Sequence, residues 1–406
     1  MARLLFFTPV SPAPTGQGTA IRAGIALEVL SEEFEVTVVL AGHWSGKPSL
    51  QESAWIRTHA DACHFVPVPP PMGAAQQLVS QHLSQSRIDG AYVFRLAAAP
   101  LALQVVSLLQ TPGMFSILDL DDDECTRTEK FIQLREKIGD LATASRERAD
   151  LERQRKVQRM LLSRFDLCFL AAPEDRDSLA ARYPDRRFAC LPNVVRIPGN
   201  VVRIPGAAPS FSSGGEPDGQ SPFALTARRQ SRPASLLFLG KLDYLPNEDA
   251  VLFFCRSILP LLRTALPDVT IRVAGIDPTQ SIRQLSLLPG VTIVGAVADV
   301  APEYERARIM VAPLRAGSGT RIKILEAFSF GLPVVSTTVG AAGLGVVHGV
   351  HLLIADTPDE FAAACLRLLE DESLAATLAR NAYRWLRETH SLDTVRAILH
   401  GIFPAS

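Results

Sequence analysis

The chain has 406 residues, of which 47% are hydrophobic and 20% charged, and its formal net charge is −1. That length suits two or three globular domains, and the balance excludes both a disordered chain and a protein that holds nucleic acid by bulk positive charge. Six cysteines stand far apart with no Cys-x-x-Cys pair, so reduced thiols are expected rather than a disulfide framework or a structural zinc site.

The opening MARLLFFTPVSPAP has one arginine and a short apolar run that ends in prolines, unlike a secretory signal. No window approaches the ~18 apolar residues of a membrane span, so the cytoplasm is the expected compartment. Leu4–Phe7 predicts a strand. Thr15-Gly-Gln-Gly-Thr19 then leads to a helix over Ala20–Leu30 and a strand over Glu35–Leu40. Strand, glycine loop, helix and strand is the unit that builds parallel sheets with right-handed crossovers. Ala91–Phe94, Phe115–Leu120 and Leu167–Leu170 are further apolar runs, suited to a sheet covered on both faces.

The run Ile117-Leu-Asp-Leu-Asp-Asp-Asp-Glu124 packs five acids into a strand end. Like charges this close repel unless exposed, paired or protonated. A divalent-metal site, an acceptor or general-base role at a cleft, and a solvated acidic turn that pairs with the basic helix after it are all open. Residues 127–164 follow with eleven Lys/Arg against six Asp/Glu at helical spacing. They read as a solvated helical face or hairpin, or as an amphipathic surface for peripheral contact with an anionic membrane at its inner face.

Residues 193–233 are rich in Gly, Pro, Ser and Arg and read as a linker. They hold a tandem copy, Asn193-Val-Val-Arg-Ile-Pro-Gly199 and Asn200-Val-Val-Arg-Ile-Pro-Gly206. One pair of copies is too few for a solenoid and fits a slipped duplication in a tolerant connection. Strand–helix alternation then restarts: strands at 236–240, 269–275, 291–295, 309–312 and 333–336, and helices over Asn247–Leu262, Phe361–Leu369 and Leu374–Glu388. The expected architecture is two doubly wound α/β halves of five or six strands each, with a ligand cleft between them.

Gly317-Ser-Gly-Thr-Arg-Ile-Lys-Ile-Leu-Glu326 opens a helix of about ten residues, with Thr320 as N-cap, Gly331 at C′ and Pro333 barring continuation. Arg321 and Lys323 fall in its first turn, where a cation costs ~0.3–1 kcal/mol against the helix dipole. An arriving anion reverses that penalty, because phosphate oxygens accept from the free N–H groups and both cations. Glu326, three residues past Lys323, suits the ribose hydroxyls of a nucleotide, though an i,i+3 salt bridge is the plainer alternative. Lys241, after the strand LLFLG, stands at the carboxyl end that faces the crevice in such a sheet.

Over Leu236–Leu369 the segments FLGKLDYLPNEDAV, VTIVGAVADVAPEYERARIMVAPL, GSGTRIKILEAFSFGLPVVSTTVGAAGL and HLLIADTPDEFAAACLRLLED resemble the GT-B glycosyltransferases. The likeness is to their large family-four group of retaining, nucleotide-sugar-dependent enzymes, in a bacterial exopolysaccharide or envelope subgroup. The resemblance implies two Rossmann-like domains facing across a cleft: 1–192 on the acceptor side, 193–233 as linker and 234–385 for the donor. Residues 386–406 would form a C-terminal helix that returns to the first domain. It implies a nucleotide diphosphate-sugar as co-substrate, a hydroxyl acceptor that is a glycan, a lipid-linked sugar or a small molecule, and no metal or organic cofactor. Lys241, Arg321 and Lys323 fall on the family's diphosphate-binding positions, and the loop Ser318, Gly319 and Thr320 belongs to the expected donor site. Glu326 falls on the family's ribose-binding glutamate, Gly16 and Gly18 on its first-domain loop, and Val297 near the nucleobase. Asp119 or Asp121 takes roughly the place of a histidine that the family often carries at the end of the acidic strand, which suits an acceptor or general-base role at the cleft. Two positions depart from the pattern. Ser318 stands where the family has a glutamate on the transferred sugar, and no second basic residue follows Lys241. A nucleotide-sugar epimerase and a non-catalytic module of the same fold are the alternatives.

Overall fold

The computed structural model describes residues 1–14, 16, 18–42, 50–83, 87–196, 201–202, 210–211 and 233–402. In β1 (Ala2–Thr8), Leu4 to Phe7 are all fully buried. Side chains alternate across a strand, so Leu4 and Phe6 join the core on one face while Leu5 and Phe7 join the other. Around β1 lie β2 (Phe34–Gly42), β3 (Ala62–Pro67), β4 (Gly90–Phe94), β5 (Phe115–Asp121), β6 (Leu167–Leu170) and β7 (Phe188–Cys190). They form a sheet in the order β3-β2-β1-β4-β5-β6-β7, with every pairing parallel.

Val201–Val202 (β8) and Ser210–Phe211 (β9) make a short antiparallel pair. The second sheet comprises β10 (Ser235–Leu239), β11 (Thr270–Ala274), β12 (Val291–Gly295), β13 (Ile309–Ala312), β14 (Val334–Ser336) and β15 (Leu353–Ile354). Its order is β12-β11-β10-β13-β14-β15, again parallel throughout. The same alternation recurs in β10, where Leu236 and Phe238 enter one core and Leu237 the other.

In the two parallel sheets, the strands that the sequence did not reveal are half-exposed or very short. β3 is half-exposed along most of its length, and β7 and β15 have three and two residues. Strand order reverses beside β1 and beside β10, which places a crevice at the carboxyl ends of both sheets. The two crevices face each other. A Cβ on Gly18, after β1, would stand 2.4 Å from Ile322 Cδ1, after β13. Phe131, beyond β5, lies edge-on to Tyr244, beyond β10, with ring centroids 5.5 Å apart.

The basic segment is a hairpin of helices, Glu124–Ile138 and Leu141–Leu162. Asp123 and Asp140 cap their starts, and Gly139 (φ 86°) makes the turn in a left-handed conformation that suits glycine. Cys125, Ile132, Ala144 and Leu151 form a small core of its own. Many of its arginines are committed internally: Arg135 to Glu147 and Asp140, Arg148 to Glu136, and Arg155 to Glu129 and Glu152. Among the described residues no helix is long and apolar enough to cross a membrane.

The first NVVRIPG copy is firmly packed where it is described. Asn193 is buried against Arg22 and Asp121, and Arg196 pairs with Glu28 over the Trp55 ring. Val194 joins the first domain's core and Val195 the second's, so the chain crosses between domains there. Most of the second copy lies outside the described residues. At the other end, Leu392, Val395 and Leu399 of the last helix, Leu392–His400, pack into the first domain's core, and Arg396 pairs with Glu32.

Candidate active site in the interdomain cleft

The helix that the sequence singled out spans Ile322–Ser329, two residues shorter than expected, and its N-cap is Arg321 rather than Thr320. Gly331 follows with φ 60°, at the left-handed position expected of C′. The shift by one residue separates the two cations. Arg321 is buried and turns back, its guanidinium donating to the carbonyls of Ser318 (2.6 Å), Gly319 and Val339 (3.2 Å). Burial lowers its pKa. Arg321 therefore braces the glycine loop, and those carbonyls, rather than a phosphate, offset its position against the dipole.

Lys323 remains in the first turn and faces the cleft. Its Nζ donates to Asn247 Oδ1 at 2.6 Å and lies 4.2 Å from the Phe238 ring centroid. No carboxylate pairs with it among the described residues. Burial, with Arg321 nearby, pushes its pKa down to about 7. Gly240 makes room for it, since a Cβ there would stand 2.9 Å from Nζ and 2.7 Å from Asn247 Nδ2. Asn247 Nδ2 in turn donates to the Lys241 carbonyl at 2.8 Å, which fixes the amide. One turn on, Glu326 accepts from the Tyr304 hydroxyl at 2.8 Å. Burial raises the Glu326 pKa, opposed by Tyr304 and Lys323. Tyr304 stacks on Phe330, which holds the phenol in place. Sequence reasoning missed Asn247 and Tyr304. Neither is charged, and only the fold brings them to Lys323 and Glu326.

Lys241 sits at the end of β10, half-exposed, with Nζ 3.1 Å from Asp243 and 3.8 Å from Asp277. Val297 is half-buried in the turn between β12 and the helix Ala301–Arg306 that carries Tyr304. Gly18 abuts Ile322, whereas Gly16 (φ 112°) is exposed with open space at its Cβ position. Thr320 Oγ1 is buried with no hydrogen-bond partner. Ser318 reaches across the cleft, donating to Asp122 Oδ2 at 2.7 Å.

The acidic strand end is not a solvated turn. Asp119 is fully buried; it accepts from Arg22 Nε (3.0 and 3.1 Å) and Nη2 (2.8 Å), from the Tyr92 hydroxyl (2.6 Å) and from the Asp121 amide (3.1 Å). So enclosed, it is a structural carboxylate and not the cleft base that the sequence offered. Asp121 (φ 65°) accepts from Asn193 (3.1 Å) and Arg95 (3.2 Å), and burial raises its pKa. Asp122 binds Arg95 (2.8 Å) and Arg127 (2.7 and 2.8 Å). Burial works against its charge, but these arginines outweigh it and hold the carboxyl below its usual range. Asp123 caps the hairpin and takes Gln158 (3.0 Å) and Arg182 (3.2 Å). Among the described residues no three His, Cys, Asp or Glu converge on a metal-sized site.

Residues 233–371 match the family model of the glycosyl transferases group 1. An uncharacterised 44.6 kDa protein of the cps region of Klebsiella pneumoniae is 26% identical over 169 residues, 40% of this chain and 44% of that protein. Glycogen synthase of Mycobacterium tuberculosis is 28% identical over 195 residues, 46% of this chain and 45% of the enzyme. The aligned part of this chain thus spans under half the length of these curated relatives. The crystal structure of Anabaena HepE with UDP and glucose covers 99% of both chains at a TM-score of 0.66 and 17% identity, a likeness of fold. Residues 233–371 are thus similar to the group 1 glycosyltransferases, in a chain with the GT-B fold.

Proposed function

We propose that the protein transfers a sugar from a nucleotide diphosphate-sugar to a hydroxyl acceptor, with retention at the anomeric carbon and without a metal. The observation that carries this reading is Lys323: an enclosed ammonium at a helix N-terminus, held by a neutral amide, with an acid one turn beyond it. The helix N–H groups and Lys323 take the diphosphate, and Glu326, oriented by Tyr304, takes the ribose. That HepE is seen with UDP supports a nucleotide donor. Lys241 adds a second cation by exchanging its exposed aspartates for phosphate oxygens, since exposed ion pairs hold weakly.

In the reaction the acceptor oxygen bonds to the anomeric carbon as the carbon–oxygen bond to the phosphate breaks. The bonding pair and the acceptor proton both go to the departing phosphate oxygen. Lys323 and the helix N–H groups stabilise the charge that grows there. Closure of the two domains excludes water and spares the donor from hydrolysis.

Thermal melting with UDP, GDP and ADP tests donor binding. A ligand at a hundred times its Kd adds about 2.7 kcal/mol of stability. No shift with any nucleotide refutes the donor reading. Incubation with nucleotide sugars and a glycan acceptor must give a product of retained anomeric configuration by NMR. Inversion refutes that part, and an epimerised sugar formed without acceptor would favour the epimerase.

A further inference from the structure

Lys323 marks where the diphosphate lies, and Glu326 with Tyr304 marks the nucleoside side of it. A nucleotide sugar carries its sugar on the opposite side of the diphosphate from its ribose. In this chain that side is the loop Gly317–Thr320 and the first-domain surface against it. The polar side chains that meet there are Ser318 and Asp122, joined at 2.7 Å. Asp122 also closes on the loop backbone, so that a Cβ on Gly319 would stand 3.1 Å from its own Cβ.

Asp122 is aimed at this loop by surroundings built for it. Arg95 and Arg127 hold it ionised, and Arg95 and the neighbouring Asp121 both sit at positive φ (67° and 65°). Non-glycine residues at such angles are strained, and they persist where the structure over-determines them, often at ligand sites. The same loop carries hydrogen-bonding capacity that the protein does not use. Asp175 of the first-domain helix Pro173–Arg182 beside the loop, only 8% exposed, has no partner for Oδ2, and the Thr320 hydroxyl has none either. Buried polar atoms are rarely left so, and sugar hydroxyls are the donors and acceptors that such a loop lacks.

We infer that Asp122, paired with Ser318, is the specificity-determining carboxylate for the transferred sugar, supplied by the first domain to a loop whose own side chain is too short; this rests on the nucleotide-sugar reading above. Ser318 exchanges its bond to Asp122 for a sugar hydroxyl, which Asp122 then accepts. Sugar recognition is thereby available only with the domains together, while the nucleoside diphosphate binds to the second domain alone.

Calorimetry with whichever of UDP, GDP and ADP the wild-type chain binds, and with UDP-glucose, GDP-mannose or ADP-glucose to match, tests the inference. Asp122→Asn should leave the diphosphate Kd within about twofold and weaken the nucleotide sugar about tenfold or more, the size of one charge-assisted hydrogen bond. Adding Ser318→Glu to Asp122→Asn should restore part of the loss, which a purely structural Asp122 would not permit. Should Asp122→Asn fail to fold, Ser318→Ala carries the same comparison, because it removes the cross-cleft bond and leaves the arginine pairs intact. Equal weakening of both ligands, or of neither, overturns the inference and leaves the donor reading standing. A wild-type chain that binds no nucleoside diphosphate overturns both.

Discussion

Two charged clusters face each other across the cleft, and they differ in how completely their charges are paired. At the end of β5 every acid has a cation or a cap: Asp119 has Arg22, Asp121 and Asp122 share Arg95, Asp122 also has Arg127, and Asp123 has Arg182. At the start of the helix Ile322–Ser329, Lys323 has an amide and an aromatic face. A saturated cluster holds a fold together, because removal of one member strands a buried charge. An unsaturated one is weakly stabilising at best and gains its partner from solution. The difference separates the enclosed, structural Asp119 from the binding lysine, although both look like functional charge in the sequence.

The comparison can be broken by mutation, and the largest effect belongs to the saturated side. Arg22→Leu leaves Asp119 buried without its partner and should cost about 3–5 kcal/mol in urea denaturation. A cost within experimental error would mean that Asp119 is not structural. Lys323→Met, by contrast, removes a poorly compensated buried cation and should leave stability unchanged or higher. On the binding side, Tyr304→Phe leaves Glu326 without its hydroxyl donor and should weaken nucleoside diphosphate binding about tenfold, near the ~1.5 kcal/mol lower bound for a hydrogen bond to a charged group. An unchanged Kd would remove Glu326 from the ribose.

Much of the donor half was legible. The glycine loop, Lys323 and Glu326 lie within ten residues of each other, so local spacing alone puts them on one helix. The acids of β5 were legible as a group but not in their roles. Their partners come from positions 22, 95, 127 and 182, and only the parallel order β1-β4-β5-β6, with the hairpin beyond β5, brings those together. Arg321 misled for a local reason. Its backbone falls at the N-cap, one residue outside the helix, and from there the guanidinium reaches its own loop's carbonyls. Asn247 and Tyr304 carry no charge and no spacing signal relative to the residues they orient.

The central claim is that Lys323 waits for the diphosphate, and its pKa makes the claim measurable. In the folded chain burial holds that pKa near about 7, against 10.5 for an ordinary lysine. Between those values the unfolded chain binds one more proton than the folded one, so the free protein should gain stability as pH rises from about 7 to 10. A bound diphosphate favours the charged form, so binding at pH 8 must draw in a proton. Calorimetric titration with the bound nucleoside diphosphate at pH 8, in two buffers of different ionisation heat, reads that proton directly. The account predicts uptake close to one proton for the wild-type chain and none for Lys323→Met, whose affinity falls about tenfold to a hundredfold. Equal affinity and equal proton uptake in the two proteins would contradict it.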